Sequence, residues 1–412
     1  MNKKGYWIII LSVIVTAILA YIEVSSYYSD GYLRISLISG SVAFSLFFWV
    51  FSISSRMNYL EKYIAPIDKL YFVHKLLSGL CIFSLIIHGN MMERYKGEGT
   101  SLVAQGGRVS LIMFVIFTLF SLIGLYIVRK NNNLAYELWK NIHRFMLLPF
   151  LIGTYHTLNN GYIKILSLSL YGIWMSILIF GGIILAVYSS ILYDIIGFRK
   201  KVKILNVIRL NRDIVEITME KPFDKIKEGQ FAFFKFYGEK IKSEAHPFTI
   251  SEIGLSHIKI AVKASGDFTK ILYDNISTDY LASINGPYGA FDYTKKSRKQ
   301  LWIAGGIGVT PFMSFISSSV AENYNIKLYY VYKNNDDSVY KNDIMEKVGS
   351  NIDYHPVSTK DSGRPDFSRI ISEYEPEDIF ICGPVKMRES IINSAREKGF
   401  SKKSVHYEKF YF

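Results

Sequence analysis

Cysteine is scarce in this chain, with two among 412 residues. Cys81 lies in an apolar stretch and Cys382 in the polar second half, so an intrachain disulfide is not expected, and nothing assigns the second half to an oxidising compartment. Internal repeats, low-complexity tracts, calcium loops and extensions able to act as a switch are also missing. These absences exclude a disulfide framework and a repeat architecture, and they predict no built-in regulation.

Charged residues are missing from long runs in the first 198 residues. Six apolar segments are long enough, or nearly so, to cross about 30 Å of hydrocarbon. They cover approximately residues 7–22, 35–53, 70–89, 109–128, 142–158 and 165–193. The chain starts like a secretory signal, but aromatic residues rather than a small-residue cleavage site follow. We therefore expect a retained first helix, with a cleaved signal as the alternative.

The net charge of +13 comes from scattered basic residues that mostly flank the apolar segments. This distribution orients membrane helices and argues against a nucleic-acid partner. The basic-rich loops contain Lys3, Lys4, Arg56, Lys62, Lys69, Arg129, Lys130, Lys140, Arg199, Lys200 and Lys201. The opposite loops contain Arg94, Lys96, Arg108 and Lys164, with Glu23, Asp30, Glu93 and Glu98. The asymmetry predicts a multi-pass cell-membrane protein with both termini in the cytoplasm.

Half of the eight histidines lie in the third and fifth apolar segments. Ionisable residues inside a membrane are costly and are functional candidates. His74 and His88 are 14 residues apart, a rise of about 21 Å that returns to within about 40° of the same helix face. His143 and His156 are 13 apart and about 140° out of register in a straight helix. Pro149 lies between them, so a kink is expected there.

Both segments are predicted to run outward, which would place His74 level with His143 and His88 level with His156. Each pair could then hold one haem iron from two sides. Such an iron has no open position, which suits electron transfer rather than substrate coordination. The alternative is that these histidines are polar residues satisfied between helices. The nearby basic residues, Arg56, Lys75 and Arg144, are either haem-propionate partners or interfacial anchors.

The second half of the chain contains two different patterns. Short alternating runs between residues 199 and 297 are typical of a small antiparallel β-barrel. Residues 298–412 alternate strands with helices, which predicts a parallel nucleotide-binding sheet. The expected fold is therefore multi-domain: a six-helix transmembrane bundle over 1–198, a β-barrel domain over 199–297 and an α/β domain over 298–412.

Four motifs stand out in the second half. WIAGGIGVTPF, residues 302–312, ends a strand in glycines that let backbone approach a diphosphate and then begins a helix. Thr310 is expected to cap that helix and Pro311 to occupy its first turn. The other motifs are HPFTI at 246–250, KASGDFTK at 263–270 and CGP at 382–384.

In this order the motifs resemble the ferredoxin-NADP reductase family. Joined to a bis-histidine helical half, the whole chain resembles the NADPH oxidase and ferric reductase superfamily, and among its members the bacterial, pneumococcal type. The resemblance implies an FAD site, a nicotinamide dinucleotide site and two b-type haems. By the same resemblance, Thr249, Cys382 and Phe410 would lie at the reacting centre.

The resemblance also assigns residues to each group. The flavin would contact His246, Pro247, Phe248 and Thr249, and its diphosphate would contact Ser265, Gly266 and Thr269. The nicotinamide dinucleotide would contact Gly305, Gly306, Gly308, Thr310, Pro311, Cys382, Gly383 and Pro384. Phe410 would stack on the flavin, with Phe412 as its rival. Lys333 is the candidate for the extra phosphate of NADPH, and because a lysine lacks the arginine fork, NADH stays open.

The implied function is electron transfer from cytoplasmic NAD(P)H through FAD and two haems to molecular oxygen, which becomes superoxide. A ferric-chelate reductase using the same path is the first alternative. A non-enzymatic haem membrane protein, an electron conduit or sensor that serves a partner, is the second. No obligate protein partner is expected, and the lack of switch elements predicts constitutive activity.

Overall fold

The computed structural model describes residues 3–95, 101–130, 134–162 and 165–408. The chain divides into two compact units, Met1–Gly197 and Phe198–Phe412. The first unit is helical, and the second contains a closed six-stranded barrel and a separate five-stranded sheet. The predicted fold class, apolar helices followed by an antiparallel barrel and a parallel-sheet nucleotide-binding domain, is confirmed.

The first unit is built from helices of very unequal length. They are α1 (Lys3–Tyr27), α2 (Gly31–Ser54), α3 (Asn58–Tyr63), α4 (Ile67–Tyr95), α5 (Leu102–Lys130), α6 (Leu134–Arg144), α7 (Leu147–Asn159), α8 (Leu170–Val187) and α9 (Tyr193–Ile196). A π-helical turn, Tyr188–Leu192, joins α8 to α9. Within the described ranges, five stretches are long and apolar enough to cross a membrane: Gly5–Tyr27, Gly31–Ser54, Lys69–Tyr95, Leu102–Gly124 and Leu170–Ile196.

The expected span over residues 142–158 is wrong as a single crossing. The chain breaks at Phe145 between α6 and α7, and the 13 residues of α7 rise only about 20 Å against the roughly 30 Å required. Pro149 explains the position of the break because it cannot donate to the carbonyl four residues earlier. That carbonyl, of Phe145, accepts instead from the Leu148 N–H at 3.0 Å. The expected kink therefore occurs one turn before the proline.

The second unit begins with the antiparallel barrel. Its strands are β1 (Lys201–Arg209), β2 (Ile214–Glu220), β3 (Phe231–Tyr237), β4 (His246–Ile253), β5 (His257–Lys263) and β6 (Leu281–Tyr288), closed in the order β1-β2-β5-β4-β3-β6. Helix α10 (Asp267–Asn275) follows β5. Val215, Phe234 and Ile260 are fully buried inside the barrel, and this core fixes the strand ends that carry the HPFT and SGDFT motifs.

The parallel sheet has the order β11-β10-β7-β8-β9. Its strands are β7 (Lys299–Gly305), β8 (Asn325–Tyr332), β9 (Ile352–Ser358), β10 (Asp378–Cys382) and β11 (Val405–Tyr407), and its helices are α11 (Thr310–Ile316), α12 (Lys341–Lys347), α13 (Phe367–Tyr374) and α14 (Val385–Glu397). Alternate residues of β7 are buried in different cores, Trp302 in one and Leu301 and Ile303 in the other. Both faces of the sheet are therefore covered, and β7 and β10 end side by side.

Candidate functional site

The four membrane histidines lie in two pairs with nearly identical geometry. In the first pair, the ring centres of His74 and His143 are 6.1 Å apart and the ring planes differ by 66°. In the second pair, His88 and His156 are 6.2 Å apart with planes at 68°. These are the pairings that the sequence predicts from parallel third and fifth segments. The break between α6 and α7 lets His143 and His156 each approach a partner, which the offset of about 140° in a straight helix would prevent.

The ring separation fits one haem iron between two imidazoles. A ligating nitrogen lies about 2 Å from the iron and about 1.1 Å from its own ring centre, so two such rings have centres about 6.2 Å apart. Among the residues that the structure describes, no group of three or more His, Cys, Asp or Glu is placed to hold a metal ion. A two-histidine site suits a metal whose other ligands come from a macrocycle, which is the chemistry of haem.

The second pair has fixed tautomers. The Nδ1 atom of His88 lies 2.8 Å from the Ser36 carbonyl oxygen, and that of His156 lies 2.8 Å from the Val103 carbonyl oxygen. Because a carbonyl only accepts, each Nδ1 must donate its hydrogen, which leaves the lone pair on Nε2. Metal-ligating histidines are typically oriented by such a bond to the second nitrogen.

The first pair is held mainly by hydroxyl groups. His74 Nδ1 lies 3.3 Å from Ser54 Oγ and His143 Nδ1 lies 3.0 Å from Ser121 Oγ. None of these partners was identified from the sequence, because serines are frequent in apolar helices and only tertiary packing selects the ones that meet a histidine.

Two glycines seat the rings of the second pair. A β-carbon added at Gly40 would lie 3.0 Å from His88 Nδ1, and one added at Gly107 would lie 2.9 Å from His156 Cε1. Each glycine follows the residue whose carbonyl binds the ring by four positions, as Gly40 follows Ser36, so both features share one helix face. Sequence reasoning missed them. The sequence signal for each was a glycine one helical turn after the residue whose carbonyl accepts from the histidine.

Two of the three basic residues near the histidines, Arg56 and Arg144, contact other side chains. Arg144 forms an ion pair with Asp194. The guanidinium of Arg56 lies over the Tyr193 ring, 5.3 Å from its centre. These contacts tie the end of α6 and the loop after α2 to the last helix of the membrane unit. They give both arginines a structural role whatever else they bind.

The HPFT strand and the SGDFT turn meet in the barrel domain. The His246 ring stacks on Phe268 with ring centres 3.7 Å apart and planes at 16°. Pro247 and Phe248 pair with Phe233 and Ala232 of β3. Helix α11, which follows the glycine-rich loop, packs against β4. Three of the four motifs are thus brought to one place.

Thr249 carries a buried hydroxyl oxygen with no hydrogen-bond partner, and its side chain is 4% exposed. A buried, unsatisfied hydroxyl costs about 1–3 kcal/mol, so such an atom in the middle of three converging motifs calls for a ligand. The polar edge of a flavin ring would satisfy it. The unpartnered Thr249 hydroxyl is therefore consistent with a bound FAD, whose ring could supply the missing hydrogen bond.

Thr269 acts inside the turn. Its hydroxyl accepts hydrogen bonds from the N–H groups of Ser265 and Gly266, at 3.0 and 2.9 Å, and donates to the Gly266 carbonyl. Gly266 is the N-cap of α10. The first-turn N–H groups of α10, from Asp267 onward, then remain available for a diphosphate. Thr269 holds the shape of the proposed cradle, and exposed Ser265 lies at its edge.

The glycine-rich loop and the CGP turn are in close contact at the ends of β7 and β10. A β-carbon on Gly308 would lie 2.4 Å from the Cys382 carbonyl oxygen, and one on Gly305 would lie 2.8 Å from Pro384 Cδ. Gly306 has φ +56° with open space beside it. The close approach at Gly308 and the positive φ at Gly306 each require a residue without a β-carbon.

The helix that follows this loop is capped one residue earlier than the sequence predicts. Thr310 is not the cap: Val309 occupies that position, and the Thr310 hydroxyl donates to the Ile307 carbonyl at 3.1 Å. A short 3₁₀ turn, Gly306–Val309, precedes α11 and moves the cap by one residue. Pro311 lies in the first helical turn as expected. Burial raises the pKa of the Cys382 thiol well above its ordinary value, so this side chain is a neutral thiol.

The candidate for the extra phosphate of NADPH, Lys333, is exposed just past β8. Its carbonyl oxygen accepts a hydrogen bond from the Lys360 N–H at 3.0 Å, so a second exposed lysine lies beside it at the end of β9. Sequence reasoning missed Lys360 because only the pairing of β8 with β9 brings the two together. Phe410 and Phe412 lie outside the described residues.

Three protein families match consecutive parts of the chain. A ferric reductase-like transmembrane component matches residues 39–154, an FAD-binding domain matches 199–292, and an oxidoreductase NAD-binding domain matches 302–392. With the fold, these matches define a multi-pass membrane oxidoreductase with flavin- and nicotinamide-binding domains. The chain belongs to the NADPH oxidase and ferric reductase superfamily and has a ferredoxin-NADP reductase-like half. The narrower likeness to the pneumococcal type stays a prediction.

Individual relatives are distant. The chain is 25% identical over 178 residues to the carnitine monooxygenase reductase subunit of Escherichia coli (strain K12), covering 42% of this chain and 55% of that protein. It is 24% identical over 264 residues to ferric reduction oxidase 7, chloroplastic, of Arabidopsis thaliana, covering 58% and 32%. A solved ferredoxin NADP+ reductase from Neisseria gonorrhoeae with bound FAD and NADP is 14% identical, with a TM-score of 0.46 over 52% of this chain and 98% of its own. The chain thus spans about a third to a half of the length of these two curated relatives.

Proposed function

We propose that this protein is a transmembrane NAD(P)H oxidase that delivers electrons from cytoplasmic NAD(P)H to molecular oxygen on the other side of the membrane and produces superoxide. The observation that carries the proposal is the matched spacing of the two histidine pairs, 6.1 and 6.2 Å, in one chain with a flavin- and nicotinamide-binding half. Bound FAD would accept a hydride and release electrons singly, and two b-type haems would carry them across the bilayer.

The haems would be held by the four histidines. His74 and His143 would ligate one iron, and His88 and His156 the other. Two histidines would complete the ligand set of each iron, so the chemistry supplied there would be electron transfer to an acceptor that does not bind the metal. Oxygen is small, takes one electron at a time and needs no ligand site of its own, which favours it as the acceptor.

The flavin would be held by the HPFT strand and the SGDFT turn. Thr249 would pair its orphaned hydroxyl with the ring, while His246, Pro247 and Phe248 would line the adjacent wall. Ser265, Gly266 and the first turn of α10 would receive the diphosphate, and Thr269 would keep that turn in shape. Helix N-termini favour such anions through their free N–H groups and dipole.

The nicotinamide dinucleotide would lie over the ends of β7 and β10. Gly305, Gly306 and Gly308 would let backbone approach its diphosphate, with Thr310 and Pro311 beginning the helix behind them. Cys382, Gly383 and Pro384 would border the nicotinamide, and Phe410 or Phe412 would cover the flavin until the nicotinamide enters. Lys333 and Lys360 would meet the extra phosphate of NADPH.

The membrane orientation supports the same path. Lysine and arginine of the membrane half are concentrated at the start of α1, between α2 and the start of α4, from the end of α5 into α6 and just before β1, which predicts cytoplasmic termini. The proposed nucleotide site would then face the compartment that contains NAD(P)H. The first histidine pair would lie on the cytoplasmic side and the second on the outer side.

A ferric-chelate reductase is the second candidate. It is favoured by the match of residues 39–154 to a ferric reductase-like component and by the likeness to a plant ferric reduction oxidase. The electron path would be the same and only the acceptor would differ.

The test uses detergent-solubilised full-length protein supplied with FAD and NADPH or NADH. We expect a reduced-minus-oxidised spectrum of six-coordinate b-type haem and reduction of cytochrome c that superoxide dismutase abolishes. Dismutase-insensitive reduction together with direct reduction of a ferric chelate would select the second candidate. No oxidation of either nucleotide, with haem present, would replace both proposals with a non-enzymatic haem protein.

A further inference from the structure

His143 is held differently from the two second-pair histidines and, like His74, has a serine hydroxyl at its Nδ1 atom. The second-pair rings donate to backbone carbonyls and rest directly against Gly40 and Gly107. The Nδ1 atom of His143 instead lies 3.0 Å from the Ser121 hydroxyl, which can rotate about its own bond. A ring held at one edge by a rotating group needs another contact to fix its plane.

Trp139 supplies that contact. It precedes His143 by four residues on α6, so the two side chains share a helix face. The indole lies nearly parallel to the imidazole, with ring centres 5.4 Å apart and planes at 15°. Its Nε1–H donates to the Ser121 carbonyl at 2.9 Å and to Ser121 Oγ at 3.2 Å. Trp139 thus lies in an offset stack beside the imidazole and also binds the hydroxyl at the edge of that ring.

The indole has a seat on the neighbouring helix. Gly124 follows Ser121 by three residues on α5, and a β-carbon there would lie 2.4 Å from Trp139 Cδ1. In the second pair a glycine receives the imidazole itself, whereas here the glycine receives an indole inserted between helix and imidazole.

We propose that Trp139, seated on Gly124, is a positioning residue that fixes the plane of the His143 imidazole relative to His74. The proposal rests on the proposed function, because the plane matters only if the ring ligates iron. The angle between the two imidazole planes would affect the electronic properties of a haem held between them, because orientation of a ligand by its neighbours tunes the metal. Trp139 would act on the first haem alone.

The test is electron paramagnetic resonance of the oxidised full-length protein, in which a low-spin bis-imidazole haem has g-values that depend on the angle between ring planes. The signals are assigned with His88→Ala, which removes the second haem. We expect Trp139→Leu to shift and broaden the first-pair signal while the second-pair signal is unchanged. Trp139→Phe, which keeps a stacking ring, should restore most of the original signal.

Gly107→Ala is the matched control, because its added carbon meets His156 and should shift the second-pair signal alone. Trp139→Leu signals identical to the original, or an equal shift of both signals, would overturn the proposal. If the leucine variant does not assemble, Gly124→Ala decides: a change limited to the first-pair signal supports the proposal and an unchanged spectrum overturns it. Absence of any low-spin signal in the unaltered protein would instead refute the proposed haem function.

Discussion

The membrane half and the soluble half build their candidate sites from different parts of the chain. In the membrane half the candidate ligands are four side chains, each oriented by a hydrogen bond to its second ring nitrogen. In the soluble half most candidate contacts are backbone groups, brought together by glycines at Gly305 and Gly308. A side-chain site is lost when its ligand is removed, whereas a backbone site is lost when a β-carbon is added. The two halves should therefore fail under opposite kinds of substitution.

Removal of one ligand should give the largest effect. We expect His88→Ala to eliminate the second-pair haem and to lower superoxide production by more than about 100-fold, since loss of a ligand should exceed the 10–100-fold cost of losing a partner behind it. Haem content by pyridine haemochrome and dismutase-sensitive cytochrome c reduction measure this. His257→Ala, a histidine of the barrel, is the control. Full haem content in His88→Ala would refute the ligand assignment.

Addition of one carbon should disable the soluble half in turn. In Gly308→Ala the new carbon would lie 2.4 Å from the Cys382 carbonyl oxygen and 2.8 Å from the Gly383 nitrogen, so β7 and β10 must separate. A misplacement of about 1 Å can cost about 100-fold in rate. We expect flavin reduction by NADPH, followed by stopped flow, to slow by a factor of that order.

The haem spectrum of Gly308→Ala should be unchanged, since the altered residue belongs to the soluble unit. Gly349→Ala is the control, because its added carbon meets only the side-chain oxygen of Asn351, at 2.8 Å. A Gly308→Ala protein that reduces flavin at the normal rate would show that close approach of these strands is not needed for nucleotide binding.

The same contrast explains what the sequence could predict. The four histidines could be identified from the sequence because ionisable side chains are rare inside membrane segments. Their pairing could be predicted from the direction of the helices alone. Gly40 and Gly107 were not visible, since glycine is ordinary in membrane helices and only the folded approach of a ring gives it meaning. Lys360 was missed for a similar reason, because it reaches Lys333 only through strand pairing.

Two predictions about single elements were wrong because of backbone hydrogen bonds close to the residues concerned. The fifth apolar segment has the composition of a span, but Pro149 and the alternative bond from Leu148 divide it into two helices. Threonine is a common N-cap residue, but because of the 3₁₀ turn before Thr310 the N-cap of α11 is Val309. In both cases the local structure depends on which of several backbone hydrogen bonds forms. The preferences of single residues do not predict that choice.

Thr249 is an exception within the soluble half, since it would act through a side chain. Thr249→Val keeps the shape and removes the orphaned hydroxyl. We expect FAD-free protein to gain about 1 kcal/mol of stability and FAD affinity to fall about 5-fold, two effects of opposite sign with the same cause. Thermal unfolding without FAD and a flavin titration measure them. Thr218→Val, on β2 of the same barrel, is the control. Equal destabilisation of both variants would contradict the assignment of Thr249 to the flavin site.

Nucleotide preference should depend on two exposed charges. Lys333 and Lys360 are exposed, so each would contribute a screened charge worth about 1 kcal/mol or less toward a phosphate. We expect Lys333→Gln with Lys360→Gln to lower kcat/KM for NADPH about 5–20-fold at low salt. The value for NADH, which lacks the phosphate, is the internal control and should be nearly constant. An equal decrease for both nucleotides would indicate a general loss of binding.

The smallest effect concerns an ion pair that joins the barrel to the parallel sheet. Burial acts to raise the pKa of Glu252, but hydrogen bonds and charge from Lys347 and Lys259 outweigh it and lower the pKa to about 2 from its ordinary 4.5. Lys347 and Lys259 lie 3.1 and 3.2 Å from the carboxylate, and His257 lies 3.3 Å away. Since the folded-state pKa is depressed, the stabilisation is fully present above pH 4.5 and is lost as pH falls toward 2.

We therefore expect Glu252→Gln to lower the free energy of unfolding by less than about 1 kcal/mol at pH 7, because solvent screens a partly exposed pair. The difference from the unaltered protein should shrink between pH 4.5 and pH 3. Unfolding midpoints across this range measure it, with Glu373→Gln, from the exposed pair with Arg369, as control. A constant difference at all pH values would assign the effect to packing. The haem spectrum should not follow this titration, since side chains of the other unit hold the proposed haem ligands.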